Sequence, residues 1–427
     1  MSSSSDSCNS RHFSWIMKSC FPNPHHPHHP QPYAAIAAAA AATATSPVTN
    51  ISALPDDILL ECLSRVPHSS LPSLPSVCRR WAHLLDSQAF HSLRRNHNLL
   101  HLTLFSISVH SSTLFTASHR LDYDSSWRVS SFVPSDDAVS RHGSLQSLFS
   151  HSRLAAIGRK IYIIGREAML RCDTWTGTLV PKSGMLVQRK KFAVAVVDEK
   201  LYIAGGCSRS AALEEYDPVE DTWRVVSHGP RRRYGCVGAS ADGLFYVIGG
   251  LKIGNSENEY SNLTSRVAGA ESVNLYASSM DVYDVSAGVW LRSRAVPGGG
   301  CVVAACAAGG FVYVLSSHAV EVSFWRFNGM RKSANFGEWC RMKSPPLPAQ
   351  VRLDSTVRFS CVAVGEEKVV LIQVMGCIDD LLRRGGRNER GLKEGLVLIY
   401  DCPAGDWTRG ADLPEVIRRA ACVCVTC

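Results

Sequence analysis

Cysteines, histidines and clustered cations are the residue types in this 427-residue chain that could carry chemistry. Metal binding is the first chemistry to consider, because thiolates and imidazoles are preferred ligands of zinc. The C-terminal CVCVTC (422–427) has thiols at alternate positions, Cys422 and Cys424, but no CxxC partner occurs elsewhere. Because such alternation is typical of a strand, we interpret the segment as a core strand and predict neither a metal site nor a cofactor.

The histidines do not form a catalytic or metal-binding pattern. The stretch PHHPHHPQP (24–32) lies in a low-complexity segment, where solvated disorder is favoured over a ligand set. A nucleophile elbow, a phosphate loop and an HExxH motif are missing from the sequence. A copper-radical site would need paired histidines, and no paired spacing occurs among His101, His110, His119, His142, His151, His228 and His318. The sequence therefore predicts a protein that is not an enzyme, and it indicates no catalytic residue.

Bulk composition narrows the class of partner and the compartment. The net charge of +8 is spread along the chain and does not by itself indicate nucleic acid. No apolar run reaches the roughly 18–20 residues that a membrane helix needs. The sixteen cysteines are irregularly spaced and no secretory signal precedes them, which is typical of reduced thiols. We expect a protein of the cytoplasm or nucleus, with neither nucleic acid nor membrane as a partner.

Residues 1–48 are rich in serine, histidine, proline and alanine. Such a segment cannot bury enough apolar surface to order itself, so we predict a disordered N-terminus. Its single acid, Asp6, and its serines leave a plastid transit peptide as an alternative, which the single arginine, Arg11, disfavours.

Residues 49–97 have a helical period. In LPDDILLECLSRVP (54–67) the apolar residues recur on one helical face, with acids in the first turn and Pro67 at the end. A second amphipathic helix is predicted from Val77 through Leu85, and Ser87 can cap a third that carries Phe90. An all-α unit of this size has marginal stability on its own. Part of its apolar face is therefore expected to pack against another chain.

From residue 98 the period changes to that of strands, and the units repeat. RKKFAVAVVDEKLYIAGG…YDPVEDTW and RRRYGCVGASADGLFYVIGG…YDVSAGVW share one pattern, with tryptophan seven residues after tyrosine. Without two insertions, 252–278 and 376–395, the period is roughly fifty residues, a propeller-blade length. The anchors of the six predicted blades are Trp127, Leu179, Trp223, Trp290, Trp339 and Trp407.

The predicted fold class is multi-domain: three short α-helices, then an all-β six-bladed propeller. The C-terminal RRAACVCVTC matches RRRYGCVGAS, so the last strand is expected to close the first blade and remove an open sheet edge. The predicted domains are 1–48, 49–97 and 98–427, with blades at 98–134 plus 418–427, 142–185, 189–230, 231–297, 298–348 and 352–414.

The helical region resembles an F-box, and the repeats resemble kelch repeats. The order is similar to that of plant F-box/kelch-repeat proteins. This resemblance implies a substrate receptor of an SCF-type ubiquitin ligase, in which the F-box docks a Skp-family adaptor bound to cullin and the propeller holds the target. A kelch scaffold acting without the ligase and, less favoured, a propeller enzyme are the alternatives.

The resemblance also implies an adaptor-facing set in the helical region. Some members, Trp81 above all, would instead be the region's own core, and about half are expected to be interfacial. The set is Leu54, Pro55, Ile58, Leu59, Leu63, Val66, Pro67, Leu71, Leu74, Val77, Cys78 and Trp81.

Cations begin five of the six predicted opening strands, and a position repeated in a ring would gather them at one mouth. One hypothesis is a basic pocket for an acidic or phosphorylated target segment. The other, which is favoured, is that each cation pairs with an acid of a neighbouring blade. The candidates are Arg141, Arg189, Lys190, Arg231, Arg232, Arg233, Arg352, Arg418 and Arg419.

Overall fold

The structure is a computed structural model. It describes residues 51–110, 113–132, 149, 151–252, 277–318, 321–347, 357–375, 395–417 and 419–427. The chain divides into two units, Met1–Leu54 and Pro55–Cys427. The described part of the first unit is a short 3-10 turn, Ile51–Ala53. The predicted disordered segment 1–48 and most of the two predicted insertions lie outside the described residues.

Three α-helices begin the second unit: α1 (Asp56–Ser64), α2 (Arg79–Asp86) and α3 (Gln88–Asn96). A 3-10 helix, His68–Ser76, separates α1 from α2. We call residues 55–97 the helical module. The Ser87 hydroxyl accepts a hydrogen bond from the Phe90 backbone N–H at 3.2 Å, as the predicted cap requires. None of the described helices is long and apolar enough to cross a membrane.

The second helix starts later than the sequence pattern predicted. Pro72 and Pro75 lie within the 3-10 segment, and Cys78 is the residue that precedes α2. Cys78 has an extended backbone (φ −163°, ψ 164°), so the α-helix begins only at Arg79. The expectation that Val77 lies on the second helix was therefore wrong.

Twenty-seven strands follow among the described residues. They are β1 (Leu102–His110), β2 (Thr113–His119), β3 (Arg128–Phe132), β4 (Arg153–Ile157), β5 (Lys160–Ile164), β6 (Met169–Asp173), β7 (Leu179–Lys182), β8 (Ala193–Val197), β9 (Lys200–Ala204), β10 (Ala212–Asp217), β11 (Thr222–His228), β12 (Arg233–Tyr234), β13 (Val237–Ala241), β14 (Leu244–Ile248), β15 (Leu251–Lys252), β16 (Ser279–Asp284), β17 (Val289–Trp290), β18 (Arg294–Ala295), β19 (Cys301–Ala308), β20 (Phe311–Ser317), β21 (Val322–Asn328), β22 (Trp339–Met342), β23 (Arg358–Val364), β24 (Lys368–Met375), β25 (Val397–Asp401), β26 (Asp406–Arg409) and β27 (Ala421–Thr426).

These strands form the six blades of a propeller. Blade 1 has the strand order β27-β1-β2-β3, blade 2 β4–β7, blade 3 β8–β11, blade 4 β13-β14-β16-β17, blade 5 β19–β22 and blade 6 β23–β26. The first strand of each blade contacts its counterparts on both sides, in the cyclic order β27, β4, β8, β13, β19, β23. These six inner strands close the ring.

The predicted closure of blade 1 by the C-terminus is confirmed. β27 pairs antiparallel with β1, from Leu102 opposite Thr426 to Ile107 opposite Ala421. The segment CVCVTC is therefore largely a strand, as its alternation predicted. Because β27 is the inner strand of blade 1, both ends of the sequence of blades meet in one sheet and no free inner edge is left.

The repeated tyrosine and tryptophan join strands and blades. Tyr216 lies opposite Trp223 across β10 and β11, with ring centroids 4.9 Å apart. The Trp223 indole N–H donates to the Ser183 carbonyl of the preceding blade at 2.8 Å. Trp407 and Trp127 make the same kind of bond, to the carbonyls of Lys343 and Ala411. The seven-residue spacing thus encodes both a cross-strand pair and a link between neighbouring blades.

The helical module packs on blades 1 and 2 at one end of the ring. Its Leu59, Leu63 and Phe90 share one apolar cluster with Ile161 and Trp175 of blade 2. The Phe90 ring meets Trp175 edge-to-face at 5.3 Å. The inner strands β4 and β27 end on this side, which we call the base; the opposite end, where the inner strands begin, we call the mouth.

Candidate functional site

Part of the predicted adaptor-facing set is the helical module's own core. Leu59, Leu63 and Leu71 are 1%, 3% and 1% exposed. They belong to the cluster that continues into blade 2, so they cannot contact a partner directly. For these three residues the interface prediction was wrong, because the helical face that carries them is covered by the propeller and by the rest of the module.

The other members form the accessible part of the module. Ile58 and Val77 are 47% and 58% exposed. Pro55, Pro67 and Cys78 are also exposed. Exposure is intermediate at Leu54, Val66, Leu74 and Trp81. Of these, Leu74 and Trp81 pack against the core, in line with the alternative that some members, Trp81 above all, are the module's own core. The adaptor interface itself remains a prediction.

The sequence reasoning missed a groove between α1 and α3. It has a volume of about 570 Å³ and an apolar floor that includes Leu60 and Leu93 beside the exposed Ile58. Its rim is polar, with Asp57, Glu61 and Asn96. The helical periodicity of α1 placed Leu60 off the main apolar face, so the pattern gave no signal that a second apolar surface existed.

At the base, ion pairs supplement the apolar contact. Arg159, in the turn after β4, donates to Asp86 at the end of α2 at 2.7 Å and also pairs with Asp173. Its guanidinium lies 4.4 Å from the centre of the Trp175 ring. Lys160 contacts Asp86 at 2.8 Å. Although burial opposes it, the Lys160 hydrogen bond and the nearby cations lower the pKa of Asp86.

At the mouth, two of the predicted target-binding cations are buried structural residues. The Arg189 guanidinium donates to Glu214 at 2.6 and 3.0 Å and to the carbonyls of Gly205 and Ala212 at 2.7 Å. Both side chains of this pair are fully buried. Arg233 repeats the arrangement with Asp281 at 2.7 Å. Neither arginine can reach a target, so both assignments were wrong.

The acids in these pairs also differ from the expectation. Glu214 lies on β10 and Asp281 on β16, which are the third strands of the same blades as their arginines. The pairing is therefore within a blade and not with a neighbouring one. The sequence did contain a signal for this pairing. In both repeats an acid stands two residues before the repeated tyrosine, Tyr216 or Tyr283.

The remaining predicted cations divide into three groups. Arg231 is partly buried and hydrogen-bonds Ser279, and exposed Arg232 donates to the Ser208 carbonyl at 3.0 Å. Lys190 and Arg419 are exposed at the mouth. Arg141, Arg352 and Arg418 lie outside the described residues. The sequence reasoning missed His151, Arg153 and Arg358, which stand at or just before the inner strands β4 and β23, whereas Lys191 belongs to the same basic run, RKK, as Lys190.

Among the described residues no group of three or more metal-ligating side chains is close enough to hold a metal ion. Cys422 contacts the Ser106 hydroxyl at 3.2 Å, and burial raises the pKa of the Cys422 thiol to about 11. The C-terminal thiols are thus held protonated within the sheet, where they pack as small apolar groups.

Comparison with known families and proteins agrees with this architecture. The F-box domain family matches residues 51–93, and the Kelch motif family matches residues 188–230. The chain is 58% identical over 427 residues to the F-box/kelch-repeat protein At5g26960 of Arabidopsis thaliana, covering 99% of each chain. It is 27% identical over 269 residues to the F-box/kelch-repeat protein At1g67480 of the same plant, covering 57% of this chain and 61% of the relative.

The fold defines a two-part protein, with a small helical module packed on the base of a six-bladed kelch propeller. The nearly full-length match at 58% identity specifies it further: the chain belongs to the F-box/kelch-repeat protein family. The helical module is its F-box. The resemblance inferred from LPDDILL and YDPVEDTW is confirmed.

Proposed function

We propose that the protein is the substrate-recognition subunit of an SCF-type (Skp–cullin–F-box) E3 ubiquitin ligase. The F-box docks the Skp-family adaptor, and through it cullin, while the propeller holds the protein to be ubiquitinated for degradation. One observation carries this proposal: the helical module is fixed to the base of the propeller through Phe90, Trp175 and Arg159. An adaptor and a target would therefore bind at opposite ends of one continuous core.

The adaptor surface of this proposal is the exposed part of the helical module. Ile58 and Val77 leave about half of their side chains in water. Exposed aliphatic groups beside a groove with a polar rim have the composition of a protein interface. Because the buried face of α1 is already used by the propeller, the adaptor would meet the module's outer face.

The target surface of this proposal is the mouth. Lys190, Arg232 and Arg419 are the exposed members of the predicted basic set. They favour an acidic or phosphorylated target segment, because charged donors bind such groups with the strongest hydrogen bonds. The chain itself would be non-catalytic, with ubiquitin transfer performed by its partners, and it would act in the cytoplasm or nucleus.

Direct binding to a purified Skp-family adaptor tests the proposal. The test variant is Ile58→Asp/Val77→Asp, which places charge on the exposed apolar surface without entering the core. The matched control is Val219→Asp/Val225→Asp, which changes two exposed valines of blade 3 that are 91% and 44% exposed. We expect micromolar or tighter binding by wild type and the control, and binding weaker by at least about thirtyfold in the test variant.

The outcomes separate the two candidate functions. Loss of binding only in the Ile58→Asp/Val77→Asp variant would support adaptor docking through this surface. If folded wild type did not bind the adaptor, the receptor function would be wrong and a kelch scaffold acting without the ligase would replace it. Equal loss in both variants would mean that the adaptor does not use this surface.

A further inference from the structure

One backbone feature recurs around the mouth. The residue two positions before the inner strand has a left-handed φ in each of five blades. The residues are His151 (φ 68°), Lys191 (φ 53°), Gly235 (φ 74°), Gly299 (φ 71°) and Arg419 (φ 53°). They precede β4, β8, β13, β19 and β27 respectively, and the corresponding residue of blade 6 lies outside the described part of the chain.

The side chains at this position are costly choices. Glycine adopts a left-handed φ without a Cβ clash, as Gly235 and Gly299 do here. A residue with a Cβ is destabilised in the same conformation, since the Cβ comes too close to the following carbonyl oxygen. His151, Lys191 and Arg419 are all cationic or able to become so. Strained backbone of this kind is concentrated at functional sites.

The surrounding loops hold these residues in place. The Gly235 N–H donates to the Lys191 carbonyl at 3.0 Å, and the Lys190 N–H donates to the Gly206 carbonyl at 3.0 Å. The Gly206 N–H donates in turn to the Arg233 carbonyl at 2.7 Å. The loops of blades 3 and 4 are therefore interlocked through their backbones, and the buried Arg189 and Arg233 anchor them from below.

Two further arginines bring charge to the same place. Arg153, the first residue of β4, donates from Nε to the Phe192 carbonyl at 3.1 Å and from Nη2 to the Cys236 carbonyl at 3.2 Å. It thus reaches from blade 2 to the starts of the inner strands of blades 3 and 4. Arg358 is the first residue of β23, the inner strand of blade 6.

These charges stand at or near the starts of inner strands that line one ring. Blades 3 and 6 are opposite in the cyclic order. Desolvation is the largest cause of the lowered pKa of Lys191. The positive charges of Arg358 and Arg153 lower it further. Desolvation, followed by the charges of Lys191 and Arg358, lowers the pKa of His151. Arg153 and Lys191 therefore lie together at the starts of neighbouring inner strands, and Arg358 stands at the corresponding start in blade 6.

Four cations of this region are not paired with acids among the residues that the structure describes. Lys190, Lys191, Arg358 and Arg419 make no ion pair with any of them. Glu214 and Asp281 already form ion pairs with the buried arginines Arg189 and Arg233. We define the mouth cluster as His151, Arg153, Lys190, Lys191, Arg358 and Arg419.

We propose that the mouth cluster is a binding site for a phosphate group. The proposal rests on the proposed function in one respect, since the phosphate of a target segment is one source of the ligand. A phosphomonoester dianion offers about two charges and three strong acceptor oxygens. It matches several converging cations better than one carboxylate does, and arginine contacts phosphate in a bidentate manner.

The test variant is Lys191→Gly/Arg419→Gly in the full-length chain. It removes two charges at positions where glycine fits the backbone, so loss of binding cannot be attributed to loss of folding. The matched control is Lys343→Ala/Arg409→Ala, which removes two cations that are 61% and 55% exposed, one just after β22 and one on β26, the outermost strands of blades 5 and 6. Inorganic phosphate is titrated by calorimetry at constant ionic strength, with chloride as the balancing anion, and unfolding midpoints are recorded in parallel.

We expect wild type and the control to bind inorganic phosphate in the millimolar range or tighter. The test variant should bind at least about tenfold more weakly, with an unfolding midpoint at or above that of wild type. Equal weakening in both variants would overturn the proposal in favour of diffuse charge. Wild type that does not distinguish phosphate from chloride would also overturn it.

A second titration identifies the source of the phosphate and the class of anion. A pool of phosphoserine peptides is competed against inorganic phosphate, beside the same pool with aspartate at the serine position. Competition by the phosphopeptides alone supports a modified target segment, and phosphate binding without peptide competition supports a small phosphorylated ligand at the same site. Equal competition by the aspartate pool would overturn phosphate selectivity.

Adaptor binding is measured on the same variants so that the two proposals can fail separately. The mouth cluster is at the opposite end from the F-box, so all variants should bind the adaptor as wild type does. Loss of phosphate binding with adaptor binding intact concerns the mouth cluster alone. Wild type that binds phosphate but not the adaptor would count against the ligase function and leave the phosphate site standing.

Discussion

The paired arginines at the base differ from the exposed cations at the mouth, which stand beside the buried and paired Arg189 and Arg233. At the base, Arg94 is 1% exposed and donates to the carbonyls of Ser64, Val66 and Leu99 at 2.8–3.2 Å. Arg120 binds both carboxylate oxygens of Asp124. At the mouth, desolvation and then the charges of Lys191 and Arg358 lower the pKa of His151, and Lys190, Lys191, Arg358 and Arg419 make no ion pair with a described acid.

This difference distinguishes structural charge from charge that is available to a ligand. A buried arginine is tolerated only when its donors are satisfied, since an isolated buried charge is far more costly than a paired one. Exposed cations that repel one another gain nothing for the fold. At the base, the guanidiniums of Arg94 and Arg120 therefore stabilise the fold through carbonyl and carboxylate acceptors, while the exposed Lys190 and Arg419 at the mouth make no ion pair with a described acid.

The largest effect is expected from Glu214→Gln, which removes the acid partner of the buried Arg189 at the mouth and so tests whether a buried cation must be paired. The change leaves Arg189 charged and buried, and it places amide hydrogens against the N–H groups of Leu186, at 2.7 Å, and Val187. We expect the free energy of unfolding to fall by about 3–5 kcal/mol. Urea unfolding followed by tryptophan fluorescence measures this.

Glu220→Gln is the control for that measurement, because Glu220 is exposed in the turn after β10. It should change the free energy of unfolding by no more than about 0.5 kcal/mol. If Glu214→Gln were equally mild, an unpaired buried cation would be harmless at the mouth, and the contrast between structural and available charge would not hold.

The next largest effect is expected at the base, from Arg94→Met. Methionine fills the apolar part of the site beside Phe90 and Trp175 but leaves three carbonyl groups without their donor. Each buried acceptor without a partner costs about 1 kcal/mol or more, so we expect a loss of about 2–4 kcal/mol. Hydrogen exchange should show the loss first in α1 and α3, because Arg94 joins the end of α1 to α3.

Arg95→Met serves as the matched control, since Arg95 is the exposed neighbour on the same helix. It should leave both stability and exchange of the helices within error of wild type. Equal exchange in the two variants would show that Arg94 does not join the helices of the module, and the base would then be held by apolar packing alone.

The repeat made the architecture of the fold predictable from sequence. The Tyr216/Trp223 spacing reports a cross-strand pair, which depends only on local strand geometry. The match between RRAACVCVTC and RRRYGCVGAS indicated that β27 completes blade 1, because a repeat with a missing strand and an extra strand elsewhere allows one arrangement. Ser87 as a cap was equally local. The start of α2 was not predicted, since the helical period continues through Cys78, whose backbone is extended.

The candidate sites were less predictable, because burial of a charge depends on contacts distant in sequence. Nothing in RKK distinguishes Arg189, which is buried on Glu214, from Lys190, which is exposed. The deciding fact is an acid 25 residues away on the third strand. Likewise, Leu59 and Ile58 are adjacent in the sequence, and only the position of the propeller decides which is buried. Repeat position predicted that cations gather at the mouth, but not which of them are available.

The smallest effect, a pH-dependent one, tests the paired charge at the base. Asp124 accepts hydrogen bonds from Arg120, whose bonds and charge, together with that of Arg128, hold the pKa of Asp124 down to about 2. The ordinary pKa of an aspartate is about 3.9, so the folded state favours the carboxylate. The stabilisation is therefore fully present above about pH 4 and is lost as the pH falls toward 2.

Asp124→Asn should thus lower the free energy of unfolding by about 1 kcal/mol at pH 7, after allowance for the solvent screening of the exposed Arg128. Urea unfolding at several pH values should give a constant difference from wild type between pH 7 and 5 and a shrinking one below about pH 4. Asp122→Asn, whose carboxylate is 68% exposed and pairs with Lys368, should have a smaller effect at every pH. If the difference in the free energy of unfolding between Asp124→Asn and wild type stayed the same below about pH 4, the shape of the Asp124 side chain and not its charge would be what stabilises the fold. The base would then differ from the mouth only in packing.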